Sequence, residues 1–501
     1  MESKKQIIAS RETVDNLIDT MKRTIEGMYH ELFIDMGLDE ALRKGLLKEQ
    51  LNDDERLFVE EMVKVHSHVC YAILCLGVQC RASLKSTTGV EKQYNIRRSV
   101  VTGHEIYKYL YGFTGKTTPW LKIEAELKQK YSNECNAIAV AAGKFKEKFA
   151  QDADGTLRDV AKHYSDEPTE FFHNMTQVTE KNVTDRVSAA LCYLVPMQNL
   201  LVCELKSQLG ELYDVAANAP MPKQQFQLTG IEEPEKNDAL TEGIEKYGGI
   251  VNNVMQQLDI AEKIGQQYNF DLGSDTYWKG FVEDNVGLHI LYIYLDSMST
   301  FRSFTRSETF AEYRQNLAYL IVSVHEGFKK LYGFDDSKRD KTFWHRSIRK
   351  YLLQVGDDPL KAKMSDLEVR LEQLSKSNLL SDEDMVVAFT HVGTIKKLGK
   401  ESSFAVLDYF RQPVDPTDLK PLTDFLQVMN DIVRLYNKVV DAQNKVMKES
   451  TEAKYTDYRS KIDQMFSKLE ENVKDPEQIE KLREMANKIK EVIDKFEHLF
   501  D

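Results

Sequence analysis

The phrase HEIYKYLYGF at His104–Phe113 returns as HEGFKKLYGF at His325–Phe334, and no other feature of the chain constrains its fold as tightly. The offset is 325 − 104 = 221, and without a gap it also pairs His68 with His289, Tyr71 with Tyr292 and Leu74 with Leu295. Arg81 meets Arg302, Ser86 meets Ser307, Thr88 meets Thr309, Glu91 meets Glu312, Asn95 meets Asn316 and Val101 meets Val322. Self-similarity over such a span marks two diverged copies of one structural unit. The 501 residues also exceed what one core accommodates. Pro220, Pro222 and Pro234 punctuate a polar stretch without apolar period, so the expected division is 1–216, a linker at 217–238, a second copy at 239–450 and a tail at 451–501.

Within each copy the signals are helical, and long strand-type alternation is absent, so the expected fold is all-α: two tandem helical bundles with short connections. Asn52 with Glu55 has capping-box spacing, and Thr118 followed by Pro119 marks another helix start. Ser365 with Glu368 and Ser381 with Asp384 offer similar starts in the second copy. The repeated Leu-Tyr-Gly-Phe reads as a helix stop. Gly112 and Gly333 can turn left-handed, Phe113 and Phe334 can fold back on the last turn, and Lys108 and Lys329 suit the negative helix end.

The tail differs in kind. Tyr455, Tyr458, Ile462, Met465 and Leu469, then Leu482, Met485, Ile489, Val492, Phe496 and Leu499, follow alternating steps of three and four on either side of Asp475-Pro476. That is a heptad seam broken by a cap and a first-turn proline, as in a helical hairpin or short coiled coil that packs within the chain or serves self-association or a protein partner.

Composition narrows the function. A net charge of −13 opposes nonspecific attraction to nucleic acid or anionic lipid. Cys70, Cys75, Cys80, Cys135, Cys192 and Cys203 lie mostly in apolar runs with no CxxC pair, a usage that suits a reducing cytoplasm. The N-terminus has no apolar signal region. The longest apolar stretch, Val187–Leu205, is interrupted by Pro196, Gln198, Asn199 and Glu204, so neither a signal peptide nor a membrane span is expected.

Three constellations could carry chemistry. The first is the repeated histidines, His68 with His104 and His289 with His325, which read as core histidines bonded to polar neighbours. A metal site needs three or four ligands. Glu105 and Glu326 point about 100° away on a helix, and Glu170 to His173 is a single Glu-x-x-His with no second copy, so no metal is expected. The second is Arg158-Asp159-Val160-Ala161-Lys162-His163. An Arg can hold a scissile phosphate, and a His can move a proton to or from a 2′-hydroxyl. This stretch resembles the HEPN family of helical domains, whose motif is Arg-x(4 to 6)-His with a polar residue after the Arg. The resemblance implies a metal-independent ribonuclease whose site forms between two units, with Arg158 and His163 as its catalytic pair. Arg98 to His104 and Arg339 to His345 fit the same spacing. The second copy departs from the pattern: aligning His163 with His391 puts Val386 where Arg158 stands, which implies a degenerate nuclease or an RNA-free scaffold.

The third is basic. Lys116, Lys122, Lys128 and Lys130 follow the first Tyr-Gly-Phe, and Lys338, Arg339, Lys341, Arg346, Arg349 and Lys350 follow the second, with Trp120, Phe343 and Trp344 among them. Basic residues interleaved with aromatics can grip phosphates and stack bases, so Lys338, Arg339, Lys341, Trp344, Arg346 and Arg349 are the candidate RNA contacts. No phosphate loop, dinucleotide fingerprint, nucleophile elbow or zinc spacing occurs, and no cofactor is expected. The sequence reading is a non-catalytic α-helical interaction protein, scaffold or sensor, of the bacterial cytoplasm, with the HEPN-like ribonuclease or an RNA-binding relative as the alternative.

Overall fold

A computed structural model describes residues 2–47, 51–112, 118–149, 179–221, 238–267, 286–355, 358–383, 386 and 419–471, with 476, 477, 479–481, 483, 484, 486 and 487. The described residues form helices and turns, with no strand among them. In chain order the helices are α1 (Glu2–Arg43), α2 (Asp53–Lys85), α3 (Gly89–Tyr111), α4 (Pro119–Lys130), α5 (Ser132–Phe149), α6 (Glu180–Leu209), α7 (Glu211–Ala217), α8 (Asp238–Gln267), α9 (Val286–Thr305) and α10 (Phe310–Leu331). A 3₁₀ turn (Asp336–Lys341) and a π turn (Trp344–Ile348) lead to α11 (Arg349–Val355), α12 (Asp358–Ser375), α13 (Asn378–Ser381) and α14 (Lys420–Glu471).

The chain divides into two compact units, residues 1–349 with 366–430, and residues 350–365 with 431–501. In the first unit α2 is the axis. Every residue from Val65 to Gln79 is buried, because α1, α3, α4 and α6 pack around it. A helix buried all round is ordinarily apolar all round. This one carries His66, Ser67, His68, Gln79 and Arg81 inside, so each must find a partner there. Helix α9 repeats the situation with His289, Asp296, Ser299, Thr300 and Arg302.

Two hairpins, α2–α3 and α9–α10, carry the positions matched at the offset of 221, and their local bonds agree. Thr88 accepts from the Glu91 amide at 3.1 Å, and Thr309 from the Glu312 amide at 3.1 Å. The Asn95 amide group donates to Ser86 Oγ at 2.9 Å, and that of Asn316 to Ser307 Oγ at 2.9 Å. Gly112 (φ 66°) and Gly333 (φ 80°) end α3 and α10 in the positive-φ region that favours glycine. Phe334 folds back to 5.0 Å from the Phe328 ring, as a helix stop requires.

The hairpins meet through exchanged contacts. Arg81 pairs with Glu312, and Arg302 with Glu91 at 3.5 Å. Lys85 Nζ donates to the Arg306 carbonyl at 2.7 Å, and Arg306 donates to the Lys85 carbonyl at 2.9 Å. Gln79 donates to the Tyr319 hydroxyl, and Arg98 to Thr300 Oγ1 at 2.7 Å. In each exchange the four positions are related by the same offset of 221. Helix α1 closes one edge: the Ile18 carbonyl accepts from Arg81 at 3.2 Å, and Tyr29 packs 5.7 Å from Phe310.

Asn52 and Glu55 form the expected capping box at the start of α2. Ser365 does not start a helix. It lies inside α12, which begins at Asp358 with Pro359 in its first turn, and its hydroxyl turns back to the Lys361 carbonyl at 3.3 Å.

In the second unit, Tyr351 and Tyr436 stack at 5.9 Å, and Val433, Leu435 and Val439 are buried. Helix α14 is continuous through position 451, where the sequence suggests a boundary. On it Phe466 is 6% exposed, while of the seam positions Met465 is 51% exposed and Ile462 half-buried. Residues 472–475, the expected turn of the tail, lie outside the described residues.

Candidate functional site

Arg158 and His163 fall at positions 150–178, outside the described residues, as do Glu170 and His173. The two other Arg-to-His matches are described. Arg98 lies where the hairpins exchange contacts, bonded to Thr300, 3.5 Å from Asp296 and stacked 4.8 Å over the Tyr319 ring. A guanidinium held by a carboxylate, a hydroxyl and a ring has little left to offer a phosphate. Arg339 is held at 2.7 Å by both Asp336 and Glu372, and lies 4.7 Å over the Tyr332 ring. His345 meets that ring at 5.3 Å, and its Nδ1 is 3.2 Å from Thr342 Oγ1. Burial and the neighbouring Arg339 and Arg349 push its imidazole below the ordinary value, so it is neutral at neutral pH.

The basic run ending at Arg349 is mostly answered by carboxylates. Lys338 pairs with Asp335 at 3.3 Å, and Arg349 with Glu368 at 2.6 Å. Arg346 lies 5.5 Å over the Phe343 ring, while Lys341 is exposed. Trp344 is fully buried, with its indole N–H 3.2 Å from Glu368. Its ring anchors the π turn to the core and presents no face to a base. The reason is α12, whose Glu368 and Glu372 bring acidic groups against the turn.

Of the repeated histidines, His68, His289 and His325 are buried and His104 is half-buried. His68 stacks 4.1 Å from Tyr109 with Nδ1 at 2.6 Å from the Lys64 carbonyl, and His289 stacks 4.1 Å from Phe343 with Nδ1 at 3.4 Å from Ser347 Oγ. Burial lowers both to about 4, so both are neutral at neutral pH. His325 Nδ1 bonds the Leu380 carbonyl. Among the described residues no group of three or more His, Cys, Asp or Glu side chains is arranged to hold a metal ion.

One constellation was not foreseen. His66 Nδ1 meets the two Asp35 oxygens at 2.9 and 3.0 Å, Ser67 donates to Asp35 at 2.8 Å, and Cys70 Sγ lies 3.4 Å from His66 Nε2. Thiol, imidazole and carboxylate stand in the order that a cysteine nucleophile uses. All three side chains are inaccessible, however, and burial pushes the Cys70 thiol up to about 11. Burial opposes the charged imidazole, yet Asp35 and Cys70 raise His66 well above its ordinary value. The group is therefore a buried ion pair tying α1 to α2. Its only sequence trace is the four-residue spacing of His66 and Cys70, and nothing there points to Asp35.

Among the described residues an open groove of about 610 Å³ lies between α5 and α6, lined by Asn136, Ala137, Val140, Ala141, Lys144, Ala189 and Cys192. Val140 is 59% exposed and Val195, one turn beyond Cys192, 41%. Among the described residues two helices have the length and apolarity to cross a membrane: α2, whose apolar run is almost wholly buried, and α6, whose run is only half buried. The difference is the uncovered stripe Ser188, Cys192, Val195, Asn199 and Cys203, which carries no charge.

No family model, no curated protein and no solved structure matches this chain.

Proposed function

We propose that this chain is a non-catalytic α-helical interaction protein, a scaffold or sensor of the bacterial cytoplasm, built from two diverged copies of one helical unit. The observation that carries the reading is α6, as apolar as the core helix α2 yet with half its apolar run uncovered. Exposed apolar side chains such as Val140 and Val195, beside the exposed Cys192, are what partners bury. Among the described residues, polar groups of the core are meanwhile engaged inside: Arg81 with Glu312, Arg98 with Thr300, His66 with Asp35.

Descent from one unit is supported by the exchanged contacts. In an isologous dimer residue i of one copy meets j of the other while j meets i, and the Arg81–Glu312 and Arg302–Glu91 pairs have that form within one chain. Helical residues on both sides of Asp475-Pro476 support a C-terminal hairpin as a further surface for self-association or a protein partner.

A second reading keeps the HEPN-like resemblance, as a ribonuclease or a degenerate RNA-binding relative. It is favoured by the Arg158–His163 motif. The test is cleavage of RNA by the purified chain without metal, beside Arg158→Ala and His163→Ala. The interaction reading expects no cleavage, or cleavage that both variants retain. Loss in both variants with unchanged helical content and melting establishes the nuclease instead.

A further inference from the structure

We infer that Arg97, Arg98 and Asp296 set the specificity of the hairpin interface: they admit α2–α3 against α9–α10 and exclude a second copy of the chain that would pair like hairpin with like. The inference rests on descent from one unit, because only hairpins that share one surface have a like-with-like alternative to exclude.

Part of the interface is indifferent to the choice. Arg81 pairs with Glu312 and Arg302 with Glu91, and at the offset of 221 Arg81 stands for Arg302 and Glu91 for Glu312. Like-with-like pairing would therefore rejoin Arg81 to the Glu91 of a second copy. Lys85 and Arg306 are equivalent positions that meet each other, which marks the centre of an isologous interface. Each donates to the other's carbonyl, at 2.7 and 2.9 Å, and either copy offers a carbonyl there. None of these contacts keeps two chains apart.

A second central contact differs on its two sides. Arg98 and Tyr319 are also equivalent, and the guanidinium lies 4.8 Å over the ring. Around them one exchange occurs twice, once charged and once neutral. On the charged side Arg98 bonds Thr300 Oγ1 at 2.7 Å and lies 3.5 Å from the buried Asp296, which also accepts from Arg97. On the neutral side their equivalents, Tyr319, Gln79 and Cys75, meet in the same combinations: Gln79 donates to the Tyr319 hydroxyl, and the Cys75 thiol bonds that hydroxyl. Ala318 stands at the place of Arg97. Burial keeps the Cys75 thiol neutral by pushing it up to about 12.

Pairing like with like destroys this division. Two α2–α3 hairpins would set Arg98 against Arg98 and give Arg97 and Arg98 of each copy the Cys75 thiol in place of the Asp296 carboxylate. Two α9–α10 hairpins would bury each Asp296 opposite Tyr319 and Ala318, away from both arginines. A buried charge parted from its partner is strongly destabilising, and like charges set against each other reject the wrong partner. The differences at these positions decide a choice that Arg81, Glu91, Arg302 and Glu312 leave open.

The test moves the carboxylate to the other hairpin of the full chain, as Cys75→Asp with Asp296→Cys. Within one chain both arginines then face a thiol, and the carboxylate faces Tyr319 and Ala318. Between two chains, like-with-like pairing restores a carboxylate to Arg97 and Arg98 and leaves the α9–α10 pair neutral. The expected result is twice the mass of the natural chain in sedimentation and a urea midpoint that rises with protein concentration. Two tagged forms should give mixed pairs when refolded together and none when mixed after folding. Asp296→Cys alone should lower the midpoint and do nothing else. Natural mass with a concentration-independent midpoint in the double variant overturns the inference. So does a doubled mass whose tagged forms mix after folding, since that is association of chains already paired within themselves. If the double variant does not fold, Arg97→Ala with Arg98→Tyr and Asp296→Cys duplicates the neutral side, a packing the fold already contains, and makes the two pairings equal. This triple variant should give mixed pairs on refolding, in a fraction that grows with concentration against the effective concentration of the tether. The natural chain should give none. Absence of mixed pairs from the triple variant, or their presence in the natural chain, overturns the inference. RNA cleavage, which decides the interaction reading, is measured separately, so either can fail alone.

Discussion

At the scale of single residues, the first unit is held by charges placed where apolar side chains are the norm. Arg81 is 1% exposed and answered by Glu312 and Glu308. Removing one partner of a buried pair leaves the other uncompensated, so Arg81→Ala should cost about 3–5 kcal/mol in urea unfolding. Replacing both Arg81 and Glu312 by apolar residues of similar volume should cost much less, since the desolvation of both charges is then avoided. A double replacement as damaging as Arg81→Ala would show that the pair supplies more than its own neutralisation. The buried histidines set the pH behaviour. His68 and His289 are held near 4, below the ordinary 6.5, so their contribution is complete above about pH 6.5 and is lost as pH falls towards 4. His289→Phe, which keeps the stack on Phe343, should therefore lose less stability between pH 7 and pH 4.5 than the natural chain, by up to roughly 3 kcal/mol. Equal losses would mean that His289 is not what resists protonation. The identity of these residues was legible, because the repeat singles out His68, His289, Arg81 and Arg302, and the histidines read as core; the burial of the two arginines was not. Their partners were not, since no spacing in a sequence measures the distance from Arg81 to Glu312.

At the scale of elements, ends were more legible than faces. Asn52 with Glu55 and the glycines at 112 and 333 are local signals, decided within one turn of chain, and the structure uses them as helix chemistry dictates. Ser365 has the same spacing to Glu368, yet a helix already running from Asp358 carries through it. The caps of α3 and α10 offer a matched test. Thr88→Ala and Thr309→Ala each remove the side-chain acceptor of a first-turn amide and should each cost about 1 kcal/mol. Thr309 belongs to a complete capping box, with Glu312 returning a bond to its backbone at 3.2 Å, and Glu312 also holds Arg81. Thr309→Ala should therefore cost the more of the two, measured as the difference in urea midpoint. The basic run after Tyr332 shows why faces resist reading. Arg339 and Arg349 look like a phosphate grip until α12 brings Glu372 beside the first and Glu368, 19 residues on, beside the second.

At the scale of the whole molecule, the offset of 221 carried more than any motif, because the positions it relates exchange contacts, Arg81 with Glu312 and Arg302 with Glu91, as an isologous pair does. That symmetry makes a demand on the chain. If the α2–α3 and α9–α10 hairpins meet as two subunits do, covalent connection between them contributes effective concentration and little else. Residues 1–221 and 238–501, expressed together as separate chains, should then co-purify and show the helical content of the intact protein. The buried exchange provides the reason: Arg81 and Gln79 in the first piece find Glu312 and Tyr319 only in the second, and each piece alone leaves buried charge without its partner. Arg81→Ala in one piece and Arg302→Ala in the other should weaken their association more than tenfold together, since each removes one half of the same exchange. Pieces that fold and remain apart at micromolar concentration would show that the exchanged pairs are consequences of a tethered fold and not an interface able to form it.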